Sequence, residues 1–153
     1  MGPHGSAGPY EDGAGDRYEV RLERVPGGVR LAEWAGGMLR RRAPQLRTSD
    51  LPDLIEQART REALSPQDAD ALAEALAADG AGGRNYGASP GRTGDMREEL
   101  RVEPLDDGMV RVARWVLRPG SGWQLQDAPV MLPAKRYAEA LASAARAGLL
   151  PRG

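Results

Sequence analysis

The feature that most constrains the fold of this chain is an internal repeat. The segment EVRLERV at residues 19–25 aligns with ELRVEPL at residues 99–105, with three identities and three aliphatic exchanges in seven positions. After a turn that differs by one residue in length, GGVRLAEW at residues 27–34 aligns with GMVRVARW at residues 108–115. Two unrelated hairpins would share the alternating pattern but not a tryptophan at the same place. We therefore predict that the chain contains a duplication.

Each copy predicts a series of short antiparallel strands. Apolar and charged residues alternate strictly along residues 20–23, which is typical of a strand with one buried face. A glycine-containing turn then predicts a hairpin into a second strand, at residues 29–34 in copy one and 110–117 in copy two. A third and a fourth short strand are expected around residues 38–46 and 123–132.

Each copy then ends in a predicted helix. In copy one, Thr48, Ser49 or Asp50 is the expected N-cap, and Pro52 stands in the first turn. In copy two, the apolar spacing predicts a helix over residues 134–148.

The segments outside the repeats have a different composition. Ser65 and the proline after it predict the start of a further helix, which should end at Gly80. Residues 1–16 and 80–95 are rich in glycine and proline with little to bury. The predicted organisation is a disordered tail at 1–16, a first repeat at 17–64, an extra helix at 65–79, a flexible linker at 80–95 and a second repeat at 96–153.

The size of the repeats sets the expected fold class. Modules of about 50 residues are marginal alone, and this chain has no cysteine to staple them. We therefore expect the two copies to pack on each other about a pseudo-two-fold axis. The predicted fold class is α+β, with two repeats of a curved antiparallel sheet of three to four strands followed by a helix, packed as an intramolecular pseudo-dimer.

Composition argues against catalysis. The absence of cysteine removes thiol nucleophiles and thiolate metal sites, and the only histidine, His4, lies in the glycine-rich N-terminal segment. Residues 80–94 contain no phosphate-loop pattern, and the Asp106-Asp107 pair falls in a predicted turn, where aspartate is favoured for backbone reasons. We expect a protein that is not an enzyme and that needs neither a metal nor a cofactor.

The same sequence carries no membrane or export signal that we recognise. No apolar run approaches the ~20 residues of a membrane span, and no basic segment precedes an apolar one near the N-terminus. We expect a cytoplasmic protein that does not bind membranes.

The second strands carry the candidate binding residues. Arg30 and Trp34 share the non-core face in copy one, as Arg111 and Trp115 do in copy two. Guanidinium groups pair with phosphate and indoles stack on bases, so this pattern predicts a surface for single-stranded nucleic acid. The full candidate set is Arg30, Trp34, Arg40, Arg41, Arg42, Arg47, Arg111, Arg114, Trp115, Arg118 and Trp123.

Other interpretations of these residues stay open at this point. A β-bulge after Leu31 or Val112 would turn both tryptophans into the core. The run at residues 40–42 is also typical of a charged edge that discourages strand pairing. Arginine supplies 20 of the 21 basic groups, which indicates a high-GC coding bias as readily as selection for phosphate contacts.

The order of these elements resembles a known family. The segment at residues 18–34, a loop, an extended segment and a capped helix are similar to the single-stranded-DNA-binding transcriptional coactivators (positive cofactor four and its bacterial relatives) and, more distantly, to the Whirly proteins. In copy two, residues 130–132 followed by Tyr137 resemble the family's last strand leading into its helix. The resemblance implies curved four-stranded sheets that dimerise through helices and present paired surfaces to single-stranded DNA.

Two features depart from that family's pattern. The family usually has one module per chain and is rich in lysine, whereas this chain has two copies and a single lysine, Lys135. Glu33 stands where copy two has Arg114, which predicts that the two faces are no longer equal.

The predicted function is non-catalytic binding of single-stranded DNA or melted duplex, with a role in transcription or DNA metabolism. The alternative is a protein-interaction or regulatory module on the same scaffold, which the net charge of −1 favours. The expected assembly is either a monomer with an internal pseudo-two-fold axis or a homodimer.

Overall fold

The structure, a computed structural model, describes residues 3–78, 80 and 85–150. These residues form an α+β fold with two antiparallel sheets and three α-helices. The strands are β1 (His4–Glu11), β2 (Arg17–Val25), β3 (Gly28–Ala35), β4 (Met38–Leu39), β5 (Gln45–Arg47), β6 (Gly87–Thr93), β7 (Met96–Pro104), β8 (Met109–Leu117), β9 (Trp123–Gln126) and β10 (Met131–Leu132). The helices are α1 (Leu51–Thr60), α2 (Pro66–Leu76) and α3 (Ala134–Arg146).

Each sheet contains a short strand from the other half of the chain. The first sheet has the order β1-β2-β3-β10, with β4 also paired to β3. The second sheet has the order β5-β8-β7-β6, with β9 also paired to β8. Met131 lies opposite Arg30 in the first sheet, and Gln45 lies opposite Arg111 in the second. The two halves therefore exchange one short strand each, which the strand patterns in the sequence do not predict.

Strand β1 lies in the segment for which the sequence predicts a disordered tail, so that prediction is wrong for residues 4–11. The strand pairs antiparallel with β2, and its glycine content has a packing reason. A Cβ on Gly5 would lie 2.5 Å from the carbonyl oxygen of Leu54 and 2.7 Å from the nitrogen of Ala58, both in α1. Glycine thus lets the helix backbone rest directly on the edge strand.

Strand β6 corrects the predicted flexible linker in the same way. It pairs with β7 over residues 87–93, so the linker prediction is wrong there, while residues 81–84 lie outside the described part of the chain. A Cβ on Gly87 would collide with the backbone of Ala140 and Ala144 in α3. Composition concealed this strand because its small residues serve close helix packing.

The helices follow the predicted start signals, with differences at their ends. Helix α2 begins after Ser65, whose hydroxyl oxygen accepts a hydrogen bond from the Asp68 N–H at 3.1 Å. It ends at Leu76, before the predicted Gly80. Helix α1 follows a 3₁₀ turn at residues 48–50, and the Asp50 side chain accepts a hydrogen bond from the Tyr10 hydroxyl at 2.5 Å instead of capping the helix.

The core lies between the inner faces of the two sheets and the helices. Strands β2, β3, β7 and β8 send alternate apolar residues into one continuous buried cluster, as the period-2 pattern predicts. Its members include Val20, Leu22, Leu31, Leu54, Ile55, Leu72, Leu100, Val102, Val112, Tyr137 and Leu141. In the described part of the chain, each helix is too short or too polar to cross a lipid bilayer.

Candidate nucleic-acid interface

The face of each sheet that points away from the core, here called the outer face, has the same pattern in both sheets. Glutamate, arginine and glutamate alternate along β2 or β7, and they lie opposite tryptophan, alanine and arginine on β3 or β8. The opposed pairs are Glu19–Trp34, Arg21–Ala32 and Glu23–Arg30 in the first sheet, and Glu99–Trp115, Arg101–Ala113 and Glu103–Arg111 in the second.

The arginines predicted to contact phosphate on the second strands are paired with carboxylates. Arg30 donates from Nε and Nη2 to Glu23 Oε2 at 2.9 and 2.8 Å. Arg111 donates from Nη2 to Glu103 Oε2 at 2.9 Å. Because each guanidinium already has an anionic partner, binding a phosphate here would require breaking an existing ion pair.

The tryptophans lie on the outer faces, half-buried, since the register of β3 and β8 against their neighbours continues without a bulge. The Arg21 guanidinium carbon lies 4.6 Å from the Trp34 ring centroid, and that of Arg101 lies 4.6 Å from the Trp115 centroid. Trp115 Nε1 donates to Glu103 Oε1 at 2.8 Å, whereas the buried Trp34 Nε1 has no hydrogen-bond partner among the described residues.

Arg40 and Arg42 are held at one end of the first sheet by carboxylates. Arg40 Nη1 lies 2.9 Å from Asp12 Oδ2, and Arg42 Nε lies 2.6 Å from an oxygen of the fully buried Glu33. Hydrogen bonds from the Asp16 backbone N–H and then from Arg40 hold the pKa of Asp12 below its usual value. These two arginines are therefore engaged in stabilising the fold. A phosphate could bind them only by displacing Asp12 or Glu33.

The remaining predicted cations are spread over the molecule. Arg114 lies on the inner face of β8, where its Nε donates to Glu98 at 2.7 Å, so it does not extend the outer-face pattern. Arg41 is exposed before β5 and Arg47 is exposed as its last residue, and Arg47 donates to the Asp107 carbonyl at 3.5 Å. Arg118 is exposed at the end of β8, with its Nη1 3.0 Å from Gln124 Oε1.

The second sheet has a group of aromatic side chains that the first sheet lacks. The Arg101 guanidinium carbon lies 4.2 Å from the ring centroid of Tyr86, 4.6 Å from that of Trp115 and 5.1 Å from that of Trp123. All three rings are half-buried, and Glu99 accepts a hydrogen bond from Arg101 Nε at 2.9 Å. We call Tyr86, Trp115 and Trp123 the aromatic platform.

Exposed arginines border this platform at one end of the second sheet. Arg92 on β6 lies directly opposite Arg97 on β7, on the same face as Glu99 and Arg101. Like charges that face each other across strands are destabilising unless an anion separates them. Within the described residues, neither of these two guanidiniums pairs with a carboxylate. We call Arg92 and Arg97 the basic rim.

The outer faces therefore differ in charge although their patterns correspond. In the first sheet, Arg17 lies opposite Glu11, where the second sheet has Arg97 opposite Arg92. The first outer face has three glutamates and three arginines along β1, β2 and β3, whereas the second has two glutamates and four arginines along β6, β7 and β8. The excess positive charge is confined to the second sheet.

Sequence analysis missed Tyr86, Arg92, Arg97 and Arg101 as site residues. Tyr86 and Arg92 belong to the segment that was predicted to be a linker, which hid the place of Arg92 on the edge strand β6 and that of Tyr86 just before it. A signal was available, because Gly94-Asp95 between two extended segments is typical of a tight hairpin turn. That turn brings Arg92 opposite Arg97.

No protein-family model matches this chain, and no curated protein matches it either. The described residues contain no group of three histidine, aspartate or glutamate side chains placed to hold a metal ion.

Proposed function

We propose that this protein binds single-stranded nucleic acid, such as single-stranded DNA or melted duplex, on the outer face of its second sheet. The observation that carries the proposal is the aromatic platform bordered by the basic rim. Stacking of a base on an aromatic side chain contributes about 1–3 kcal/mol and tolerates any base, while unpaired guanidiniums attract the phosphates. The expected binding is salt-dependent and weakly selective for sequence.

The outer face of the first sheet supports this function less well. Arg30 is occupied by Glu23, and Arg17 lies opposite Glu11. Its arginines and glutamates balance, so the face offers no net attraction to a phosphate backbone. We therefore place the nucleic acid on the second sheet alone.

A second candidate function, binding of a protein partner, is favoured by the composition of that first outer face. Met131 is 47% exposed and Leu39 is 36% exposed, and both lie opposite residues of β3 on the side that carries Trp34. Tryptophan, methionine and arginine without net charge are typical of protein interfaces. This surface would leave the second sheet free for a strand.

We further propose that the two halves form a pseudo-dimer that arose by duplication. The reciprocal pairing of β10 with β3 and of β5 with β8 supports this, as do the two guanidinium–tryptophan contacts at 4.6 Å. Gly5 and Gly87 add a third correspondence, since each lies on an edge strand against its helix. In this proposal, Arg17 and Arg97 are equivalent positions that have diverged in environment.

The test is fluorescence anisotropy with a labelled single-stranded oligonucleotide. We expect tight binding at about 50 mM salt that weakens steeply at about 200 mM salt. Arg97→Gln should weaken binding about fivefold and lower the salt dependence by about one released counterion, because one phosphate contact is lost. Arg17→Gln is the matched control, because it changes the equivalent residue of the first sheet and should leave the affinity unchanged.

Two outcomes would contradict the proposal. Absence of binding at low salt would remove the nucleic-acid function and leave the protein partner as the better candidate. Equal loss of affinity in Arg17→Gln and Arg97→Gln would show that the second sheet has no special role.

A further inference from the structure

We infer that a groove between α1 and α2 binds an amphipathic helix of a partner protein, with apolar side chains flanked by lysine or arginine. This groove, here called the helix groove, is lined by α1, the 3₁₀ turn before it, α2 and Leu150, and its volume is about 520 Å³. Binding clefts typically have volumes of about 300–1,000 Å³. Among the described residues, those that line the groove belong to no strand, so the inference goes beyond the proposed function and does not depend on it.

The floor of the helix groove is apolar. Leu51 and Ile55 contribute to it from α1, Leu76 contributes from α2, and Leu150 lies beside them after α3. The same side chains pack in or against the hydrophobic core, which holds them in place. A floor that is already ordered favours binding, because little side-chain freedom is lost when a partner covers it.

The lip of the helix groove has apolar residues where an exposed helix normally has polar ones. Pro52 on α1 is exposed there, as are Ala73 on α2 and Ala77 directly after it. The distance between packed helices depends on the side chains at their contact. The two alanines therefore let a third helix approach α2 closely.

The length of the helix groove suits a partner helix of about three turns. Helix α1 has 10 residues and α2 has 11. At a rise of about 1.5 Å per residue, each is about 15 Å long. A helix that lies between them presents apolar residues at positions i, i+4 and i+7 to the floor.

The charge of the two helices specifies the charge of that partner. Residues 50–76 contain seven acidic and two basic side chains, a net charge of −5. At the groove, Glu56 lies on the α1 side and Asp70 on the α2 side, and Arg59 is the one basic residue among the described lining residues. Arg59 is already paired with Glu56, which leaves Asp70 to a cation of the partner. Lysine or arginine beside the apolar face of the partner complements this charge.

The same charge argues against other occupants of the helix groove. A second copy related by a two-fold axis through the groove would bring the same acidic helices, and like charges across an interface are unfavourable. A nucleic-acid strand would bring phosphates, which the negative field repels. A basic amphipathic helix matches both the apolar floor and the acidic surroundings.

Fluorescence anisotropy with the full chain and synthetic peptides tests this inference. The probe is a fluorescein-labelled peptide of about 14 residues, with leucine at i, i+4 and i+7 and lysine at the flanking positions. One control peptide has the same composition with its leucines spread around the helix, and a second has glutamate in place of each lysine. We expect the probe to bind with a Kd of about 10–100 μM and both controls to bind about tenfold more weakly.

Two matched substitutions on α2 locate the binding. Ala73→Arg places a long cation in the helix groove and should weaken binding of the probe about tenfold. Ala71→Arg makes the same change at an exposed position that does not line the groove, and it should leave the Kd within about twofold. Circular dichroism should give the same thermal unfolding midpoint for both variants.

The contribution of charge is measured by a second matched pair. Asp70→Asn removes the carboxylate on the α2 side of the groove and should weaken binding of the probe about threefold. Asp53→Asn removes an exposed carboxylate of α1 that does not line the groove, and it should leave the affinity unchanged.

Several outcomes would overturn the inference. Absence of probe binding at about 1 mM protein would remove the site. Equal binding of the peptide with spread leucines would show attraction by charge alone, and equal binding of the glutamate peptide would show that the partner need not be basic. A dimer in sedimentation that Ala73→Arg converts to a monomer would assign the groove to a second copy. Oligonucleotide binding should be the same with and without Ala73→Arg, so each of these outcomes leaves the proposed function intact.

Discussion

Glu33 shows how one residue can be buried with its charge and still stabilise the fold. Its side chain has no exposed surface, and its two oxygens accept hydrogen bonds from Arg42 Nε at 2.6 Å, Arg40 Nη1 at 3.3 Å and the Gln45 backbone N–H at 3.1 Å. A buried carboxylate is tolerated when it is paired and fully hydrogen-bonded in this way. Glu33 therefore joins the end of β3 to the segment that leads into β5.

The same residue gives a prediction about stability. Glu33→Gln keeps the shape of the side chain but removes the charge that Arg40 and Arg42 face, and we expect it to lower the free energy of unfolding by about 3 kcal/mol. Urea denaturation followed by circular dichroism measures this. Glu56→Gln, which removes the exposed partner of Arg59, is the control and should have no measurable effect. An unchanged unfolding free energy for Glu33→Gln would contradict the assigned role.

At the scale of elements, the hairpins and helices were predictable because their signals are local. The alternation along β2 and β7, the turns that follow them and the Ser65 cap all stand in the printed sequence. The edge strands β1 and β6 were not predictable from composition, since their glycines are explained only by the helices that press on them. The pairing of β5 with β8 and of β10 with β3 joins residues far apart in sequence, which no local pattern encodes.

The close contact between β6 and α3 is testable at one position. Gly87→Ala adds a methyl group against the backbone of Ala140 and Ala144, so α3 must shift. We expect a loss of about 1–3 kcal/mol in the free energy of unfolding, as for other overpacked sites. Gly122→Ala is the control because nothing lies within 4 Å of the added group. If both variants unfold at the same urea concentration, β6 and α3 do not pack as described.

The candidate site divides in the same way between what the sequence predicts and what it does not. Trp115 and Arg111 were expected on one face of a strand, and the register places them there. Their shared partner Glu103 was not expected. Glu103 lies on β7, and only the pairing of β7 with β8 brings it next to Arg111 and Trp115. Tyr86 joins the platform from the position just before β6, an edge strand that sequence analysis did not detect.

Across the whole molecule, two similar sheets have outer faces of different charge. The first is balanced, with Arg17 opposite Glu11, and the second is basic, with Arg97 opposite Arg92. The net charge of −1 conceals this difference because acidic residues elsewhere cancel the basic rim. Under the proposed function, a strand bound on the second sheet would leave the outer face of the first sheet available for a separate contact.

The three tryptophans test the central claim most directly, because two lie on the second sheet and one on the first. In a ¹⁵N-labelled sample, each indole N–H gives its own resonance, and a single-stranded 8-mer is titrated at low salt. We expect the resonances of Trp115 and Trp123 to shift in proportion to the bound fraction while that of Trp34 stays in place. A shift confined to Trp34, or no shift of any indole at saturating oligonucleotide, would contradict binding on the outer face of the second sheet.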